Sequence, residues 1–344
     1  MKKLLLILSL VVVTLTSCSK SDENTLHIYN WTYYMPEEIV DEFEKESGYK
    51  VIQDYFSSNE EMFAKLSAGG GSGFDIIFPS ADYTSIMIKL GMLEELDHDK
   101  IPNLKYVTSL VKEKATYDPD MKYAVPYFMG AAGIAVNKNQ VNFDYEKSWM
   151  IFADERFKGK MTLLDDMREV MGDALIHLGY SNNTTDESEL KEAATLIETE
   201  WKPNIVKFDA ESFAKSFARG EFTVVHCYPE NVFEEIPESS WDTIDFFLPK
   251  EGGNMYVDNM VVLKGTKHYD AALEFINFIH RPDIYAKFLD KFNFPPTTNS
   301  GAIEYMETEP IFTAEDMKNY EILDDVGENL EKYNALWQDI RYTN

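Results

Sequence analysis

Two carboxylates three residues apart, Asp166 and Glu169, sit where an apolar strand (Lys160 to Leu164) gives way to a helix starting near Met167. A pair at that spacing can hold a cation or divide acid and base roles between its members. The same Asp-x-x-Glu pattern before an apolar helix is also a cap for free backbone N–H groups, and the residues alone leave both readings open. A second constellation is aromatic. Tyr29-Asn30-Trp31-Thr32-Tyr33-Tyr34 ends a short apolar strand, Leu26 to Tyr29, and precedes a helix with Pro36 at its start, Ile39, Val40 and Phe43 on one face and Gly48 at its stop. Ligands of open α/β sheets lie outside the carboxyl ends of strands, so Trp31 and Tyr34 are either walls of a cleft or core aromatics. Other chemistries find less support. Cys227 lies in the apolar run Phe222 to Cys227 and reads as a buried strand residue. His27, His98, His177, His226, His268 and His280 show no ligand-like spacing, so no metal is expected and each histidine reads as a surface or core residue.

The elements that would position these groups alternate strand and helix through the first part of the chain. Tyr49 to Tyr55 is extended, a helix carrying Met62, Phe63 and Leu66 follows Asn59, and Phe74 to Phe78 is a strand of buried type ending at Pro79-Ser80. Such alternation predicts a mostly parallel sheet covered by helices on both faces. The run Gly69 to Gly73 follows a helix and enters a strand, the reverse of a phosphate-cradling loop, and reads as a flexible connection. Tyr123 to Tyr127 and Gly133 to Val136 read as strands leading out of this first domain, and Met260 to Leu263 as the return. Helices near Thr313 to Tyr320 and Asp325 to Ile340 are expected to pack back on the second domain.

At 344 residues, 44% of them hydrophobic and 14% aromatic, the chain is longer than one core usually supports, and two domains are the default. Its 60 acidic against 32 basic residues argue against nucleic acid, whose phosphates need clustered Lys and Arg. A net charge of −28 instead favours a cationic partner or serves solubility alone. At the N-terminus, Met1-Lys2-Lys3, the apolar run Leu4 to Leu15 and Leu15-Thr16-Ser17-Cys18 resemble a secretory signal ending in a bacterial lipobox. The resemblance implies cleavage before Cys18, lipidation of its thiol and a chain tethered at the cell envelope, in the periplasm or on the outer face of the cytoplasmic membrane. With Cys18 lipidated, Cys227 is left alone and no disulfide is expected.

Five motifs occur in one order: Tyr29-Asn30-Trp31-Thr32-x-Tyr34, Pro79-Ser80, Leu164-Asp165-Asp166-x-Arg168-Glu169-Val170, Pro249-Lys250-Glu251-Gly252-Gly253 followed by Asp258, and Asp325-Val326-Gly327. In that order they resemble the spermidine/putrescine-binding proteins, the solute-binding components of polyamine ABC importers, over nearly the whole mature chain. The resemblance implies an α/β, two-lobed periplasmic-binding-protein fold of type II, each lobe a mostly parallel sheet flanked by helices, with the ligand cleft between lobes. It implies a polyamine ligand, an ABC permease as partner, a monomer, and neither cofactor nor catalysis. The expected division is a signal peptide 1–17, a tether 18–24, lobe 1 from 25–130 and 259–301, and lobe 2 from 131–258 and 302–344.

Carried over residue by residue, the resemblance assigns Asp166 and Glu169 to one end of the ligand and Asp258 to another amine. Trp31 and Tyr34 match the aromatic wall, Thr32 and Ser80 its polar contacts, and Tyr228 and Tyr256 stand where spermidine-binding members carry tryptophans. The chain also departs from the pattern. Tyr33 replaces a usual acidic residue, Asp82 an aromatic, Leu323 a glutamine and Phe294 a tyrosine, so the resemblance leaves spermidine and putrescine both open. The chemistry agrees with the residues: ammonium groups want carboxylates, and ring faces cover the methylenes and attract the cation by roughly 0.5–2 kcal/mol each. Two alternatives are weaker. A glycoside hydrolase would use Asp166, Glu169 or Asp258 as acid and base but leaves the recurring aromatics without a role, and the same fold could take another cationic or sugar solute.

Overall fold

The structure, a computed structural model, describes residues 24–32, 34–69, 73–295 and 297–342. The leader, Cys18 and Tyr33 lie outside the described residues. The strands are β1 (Thr25–Trp31), β2 (Lys50–Phe56), β3 (Ile76–Ile77), β4 (Ala124–Ala131), β5 (Gly133–Asn137), β6 (Met161–Leu163), β7 (Ile205–Phe208), β8 (Val224–Cys227), β9 (Ile244–Phe247), β10 (Asn254–Val262) and β11 (Glu321–Ile322). They form two sheets, one in the order β11-β10-β3-β1-β2 with β4 also paired to β10, the other in the order β7-β6-β8-β5-β9.

Both sheets carry parallel and antiparallel pairings, the parallel ones prevailing in the first and the two kinds equal in the second. In the first, β1 pairs in parallel with β2 and β3, while β10 runs antiparallel to β3 and β4. In the second, β6 is parallel to β7 and β8, while β5 is antiparallel to β8 and β9. The antiparallel members are those that carry the chain between sheets: β4 and β5 are separated only by Ala132, and β9 leads through residues 248–253 to β10. The chain runs out along β4 and β5 and back along β9 and β10, and the outgoing and returning strands oppose each other, β4 antiparallel to β10 and β5 to β9.

The first sheet is covered on both faces. Leu26 and Ile28 enter one cluster with Ile39, Val40 and Phe43 of the helix Glu37–Ser47, while Tyr29 and Ile77 enter another with Met62 and Leu66. The second core gathers Ile134, Leu163, Val170, Val224 and Trp201 with Tyr333, Trp337 and Ile340 of the helix Leu330–Tyr342. Two expected assignments are corrected by this packing. Met255 and Val257, expected in the second lobe, belong to the first core, because β10 is zipped along its length to β4. Ala302, Phe312, Met317, Tyr320 and Ile322 also join the first core, because β11 extends the first sheet beside β10. Of the two C-terminal helices expected on the second lobe, only the last one packs there.

The loop into β10 is pinned by glycine. Gly252 has φ +102°, and a Cβ there would meet the Asn319 carbonyl oxygen at 2.2 Å. Gly252→Ala should therefore destabilise the ligand-free protein by about 1–3 kcal/mol, read as a lower denaturant midpoint. An unchanged midpoint would show that the 313–320 segment shifts freely.

Candidate functional site

From the first lobe, Trp31 closes β1 with its indole Nε1 donating to the Phe78 carbonyl at 2.9 Å and its ring 4.6 Å from Phe56. Thr32 is exposed, and its hydroxyl donates to the Phe56 carbonyl at 3.3 Å. Tyr34 stands edge-on to Tyr127 at 5.4 Å, and the Tyr127 hydroxyl donates to the Tyr34 carbonyl at 2.7 Å. Tyr127 can do this because the β4–β10 register slips there: Asp258 faces Phe128 but Asn259 faces Pro126, leaving Tyr127 as the extra residue of a bulge. A proline lacks the ladder N–H, and bulges re-aim side chains, so Pro126 and the slip belong together.

The bulge places Asp258 opposite Ser80, with which it forms an isolated bridge. The Ser80 hydroxyl donates to Asp258 Oδ1 at 2.6 Å, so Ser80, though N-cap of the helix Ala81–Lys89, makes no side-chain cap bond. Forgoing that cap costs the helix roughly 1 kcal/mol, which indicates that the hydroxyl serves the carboxylate instead. Asp258 is only 5% exposed, and its pKa is pushed up to about 6 by burial, against the pull of the Ser80 and Tyr34 hydroxyls and with a further push from Asp82. The Tyr34 hydroxyl lies close enough to exert that pull but makes no bond of good geometry. Asp82, half-buried in the first turn of the same helix, is also raised to about 6, again chiefly by burial.

From the second lobe comes Asp166, and here both readings of the sequence meet. It is the N-cap of the helix Met167–His177, its Oδ1 accepting from the Arg168 and Glu169 amides at 2.9 and 3.1 Å. Both cap bonds fall on Oδ1, which leaves Oδ2 for another donor. Asp166 stays in contact with solvent, yet the protein gathered around it lifts its pKa, burial outweighing the two amides and Arg168. Glu169 is 4% exposed, and burial together with the Asp166 charge raises its pKa further, against hydrogen bonds from Asn254 and Tyr228. The Arg168 guanidinium faces away, donating to the Asp324 carbonyl and Asn183 and lying 4.9 Å from the Tyr333 ring. The Tyr228 ring at the end of β8 meets Tyr256 of β10 at 5.8 Å, joining the two lobes by an edge-on pair. Tyr256 itself has room because Gly130 lies under its hydroxyl, where any Cβ would stand 2.6 Å away.

Behind Glu169 lies a group that sequence spacing did not reveal. Glu169, Asp173 and His226, all buried, present side-chain atoms within 4.8 Å of one another. Their chemistry fits a proton better than a metal ion. Asn254 Nδ2 already donates toward Asp173 at 3.1 Å and Glu169 at 3.4 Å, and the Trp149 ring stands 5.1 Å from the imidazole. Burial drives the His226 pKa down to about 3, and burial with the Glu169 charge raises that of Asp173, whose Oδ2 lies 3.3 Å from the imidazole Nε2. Sequence reading also missed Glu230, in the first turn of the helix Pro229–Glu235 and two residues after the strand-end Tyr228.

The structure thus gathers Tyr34, Ser80 and Asp82 around Asp258 on one lobe and Asp166, Glu169 and Tyr228 on the other, with Tyr256 where the rings meet, while the contacts of Trp31 all lie within the first lobe. Thr32 keeps to the margin, its hydroxyl already engaged. Phe294 packs 4.0 Å from Phe128 as a buried backing for the box. A hollow of about 600 Å³ lined by Leu93, Glu94, Tyr123 and Tyr269 lies elsewhere on the first lobe and includes none of these residues. What the arrangement can do is hold a thin cationic chain, with carboxylates spaced between aromatic rings and buried enough for each charge to count.

Comparison with known proteins agrees with this chemistry. The model of the family described as bacterial extracellular solute-binding protein matches residues 38–315. The chain is 34% identical over 352 residues to the spermidine/putrescine-binding periplasmic protein 1 of Haemophilus influenzae, covering 97% of this chain and 96% of that one. It is 33% identical over 290 residues to the putrescine/cadaverine-binding protein of Pseudomonas aeruginosa, covering 81% and 80%. Among solved structures, the TpPotD lipoprotein of Treponema pallidum superposes with a TM-score of 0.89 at 45% identity, over 92% of this chain and 99% of that one.

Proposed function

This chain is a bacterial extracellular solute-binding protein belonging with the spermidine/putrescine-binding proteins, and from that premise we infer that it captures a polyamine between its lobes and delivers it to an ABC permease. Its relatives are solute-binding transport components, and it is not an enzyme. The single observation that carries the reading is the pair of buried carboxylates Asp258 and Glu169, which come from opposite lobes and both act on Tyr256, one of the two rings that meet between the lobes. Trp31, Tyr34, Tyr228 and Tyr256 wall the methylenes, Asp166 with Glu169 holds one ammonium, Asp258 with Ser80 holds another, and Asp82 adds charge beside it. Thr32 contributes at the margin. Both lobes meet the same cation only when shut, so the ligand shifts the hinge equilibrium toward the closed form that a permease reads.

We assign lobe 1 to residues 25–131 and 254–322 and lobe 2 to 133–247 and 330–342, with the chain crossing three times. Cys18 carries the lipid anchor, in keeping with the lipoprotein character of the Treponema relative. Cys18→Ser should move the protein from the membrane fraction to the soluble one, and retention at the membrane would remove the anchor. The protein works as a monomer, which a single light-scattering mass would check.

The test is calorimetric titration of the ligand-stripped mature chain with putrescine, cadaverine, spermidine and spermine, and binding of none would overturn the reading. The pH dependence follows from the carboxyls. Asp82 and Asp258 have pKa values raised to about 6, with Glu169 raised as well. An ammonium pairs only with the ionised form, so binding expels protons and affinity falls as pH drops through these raised values. Between pH 8 and about pH 5.5 the loss should reach about tenfold or more, since each carboxyl contributes about tenfold per pH unit below its own pKa. A flat profile would mean that these groups do not touch the ligand.

A further inference from the structure

Glu230 has a carboxylate oxygen that no described residue satisfies. Its Oε2 is closed off from solvent and has no hydrogen-bond partner among the described residues. A carboxylate oxygen closed off from water without a donor is costly even on a half-buried side chain, and a ligand cation beside it would offset that cost. Glu230 stands in the first turn of the helix Pro229–Glu235, two residues after Tyr228, on the second lobe. Tyr228 meets Tyr256, and Tyr256 precedes Asp258 by two positions on β10. The pair of rings therefore leads from Glu230 on one lobe to Asp258 on the other. The fields of Glu230 and Asp258 overlap: Glu230 is pushed up to about 7 by burial, with Asp258 adding to the push, and its charge is felt by Tyr34 and Tyr256 as well.

We propose that Glu230 and Asp258, one from each lobe, form a two-carboxylate seat for a single alkylammonium group of the ligand, with Tyr34, Tyr228 and Tyr256 as its walls. This rests on the polyamine reading above and deepens it. The site then consists of two seats built alike, Asp166 with Glu169 and Glu230 with Asp258, rather than one paired and one single carboxylate. The second seat straddles the cleft, so an ammonium there ties the lobes together directly. In the empty protein, mutual repulsion between the two carboxylates favours opening. The occupied seat reverses that sign, because one cation between two anions attracts both.

The experiment is calorimetry with putrescine on the mature chain, in two buffers of different ionisation enthalpy at pH 7. It compares wild type with Glu230→Gln and with Glu234→Gln, an exposed carboxylate on the same helix. Glu230→Gln should lose about tenfold or more in affinity and release fewer protons on binding, while Glu234→Gln matches wild type. Should Glu230→Gln fail to fold, Glu230→Asp, one methylene shorter with its charge intact, takes its place with an expected loss of about threefold or more. Wild-type binding combined with affinity and proton release left unchanged by the Glu230 variant would overturn the seat. Wild type binding no polyamine at all would instead overturn the functional reading on which it rests.

Discussion

Asp258→Asn is expected to weaken polyamine binding by about 2–4 kcal/mol, roughly thirty- to seven-hundredfold. The size of the effect comes from burial. Asp258 is 5% exposed, so a ligand ammonium brought beside it has lost most of its water and has little else to compensate its charge. Asparagine keeps the shape and leaves the Ser80 hydroxyl an oxygen to donate to, so the variant removes the charge without dismantling the bulge. Melting temperature in the absence of ligand should stay close to wild type or rise slightly, because the empty protein no longer buries a carboxyl with a raised pKa. Calorimetry showing affinity within about threefold of wild type would take Asp258 out of the site. Ser80→Ala is the gentler companion and should cost about 1 kcal/mol, the worth of one hydrogen bond to a carboxylate that is still present.

The second large effect lies behind the site. Asn254 Nδ2 donates to the Glu169 carbonyl at 2.7 Å and to Asp173 Oδ1 at 3.1 Å, and its own Oδ1 accepts from Asn182 at 2.9 Å. Asn254→Leu strands all three partners in the interior, and we expect it to lower stability by about 3–5 kcal/mol. Urea unfolding followed by tryptophan fluorescence is the measurement, and a loss below about 1 kcal/mol would show that water or rearrangement replaces the amide. An independent route to the same network exists through Gly172, where a Cβ would stand 2.2 Å from Asn254 Oδ1. Gly172→Ala should therefore act in the same direction. Both variants should also weaken binding, since Glu169 is held in place by the same amide.

Several candidate residues were legible in the chain, each for a local reason. Trp31 and Tyr34 mark themselves by following an apolar strand, and Asp166 by preceding an apolar helix. Asp166 shows that the capping reading of such a pattern and a ligand role need not exclude each other, since both cap bonds fall on Oδ1 and Oδ2 takes no part in the cap. Glu230 was not legible, because an acidic residue after a proline at a helix start reads as ordinary favourable placement near a helix N-terminus. Only the folded protein closes one of its carboxylate oxygens off from solvent. Asp173 and His226 were likewise invisible, since they meet through the pairing of β6 with β8 and not through any spacing between them. The segment 302–322 was misassigned for the same kind of reason: nothing in its composition says which of two apolar cores it will join, and the pairing of β11 with β10 decides that.

The amino-acid order alone was enough to give the acidic balance and most strand-to-helix boundaries, and to nominate an exported leader and candidate cleft residues, because each depends on neighbours within a few positions. The three-dimensional packing was needed for the mixed sheets, the bulge that aims Tyr127 at Tyr34, and the meeting of carboxylates from opposite lobes. Those features are set by groups up to 178 positions apart, as in the Ser80 to Asp258 hydrogen bond. A carboxylate's role here turns on whether its partner in space is water, a hydroxyl or another carboxylate. Burial and charge are summed over everything nearby, whatever its distance along the chain, and only the folded protein brings that sum to a definite value.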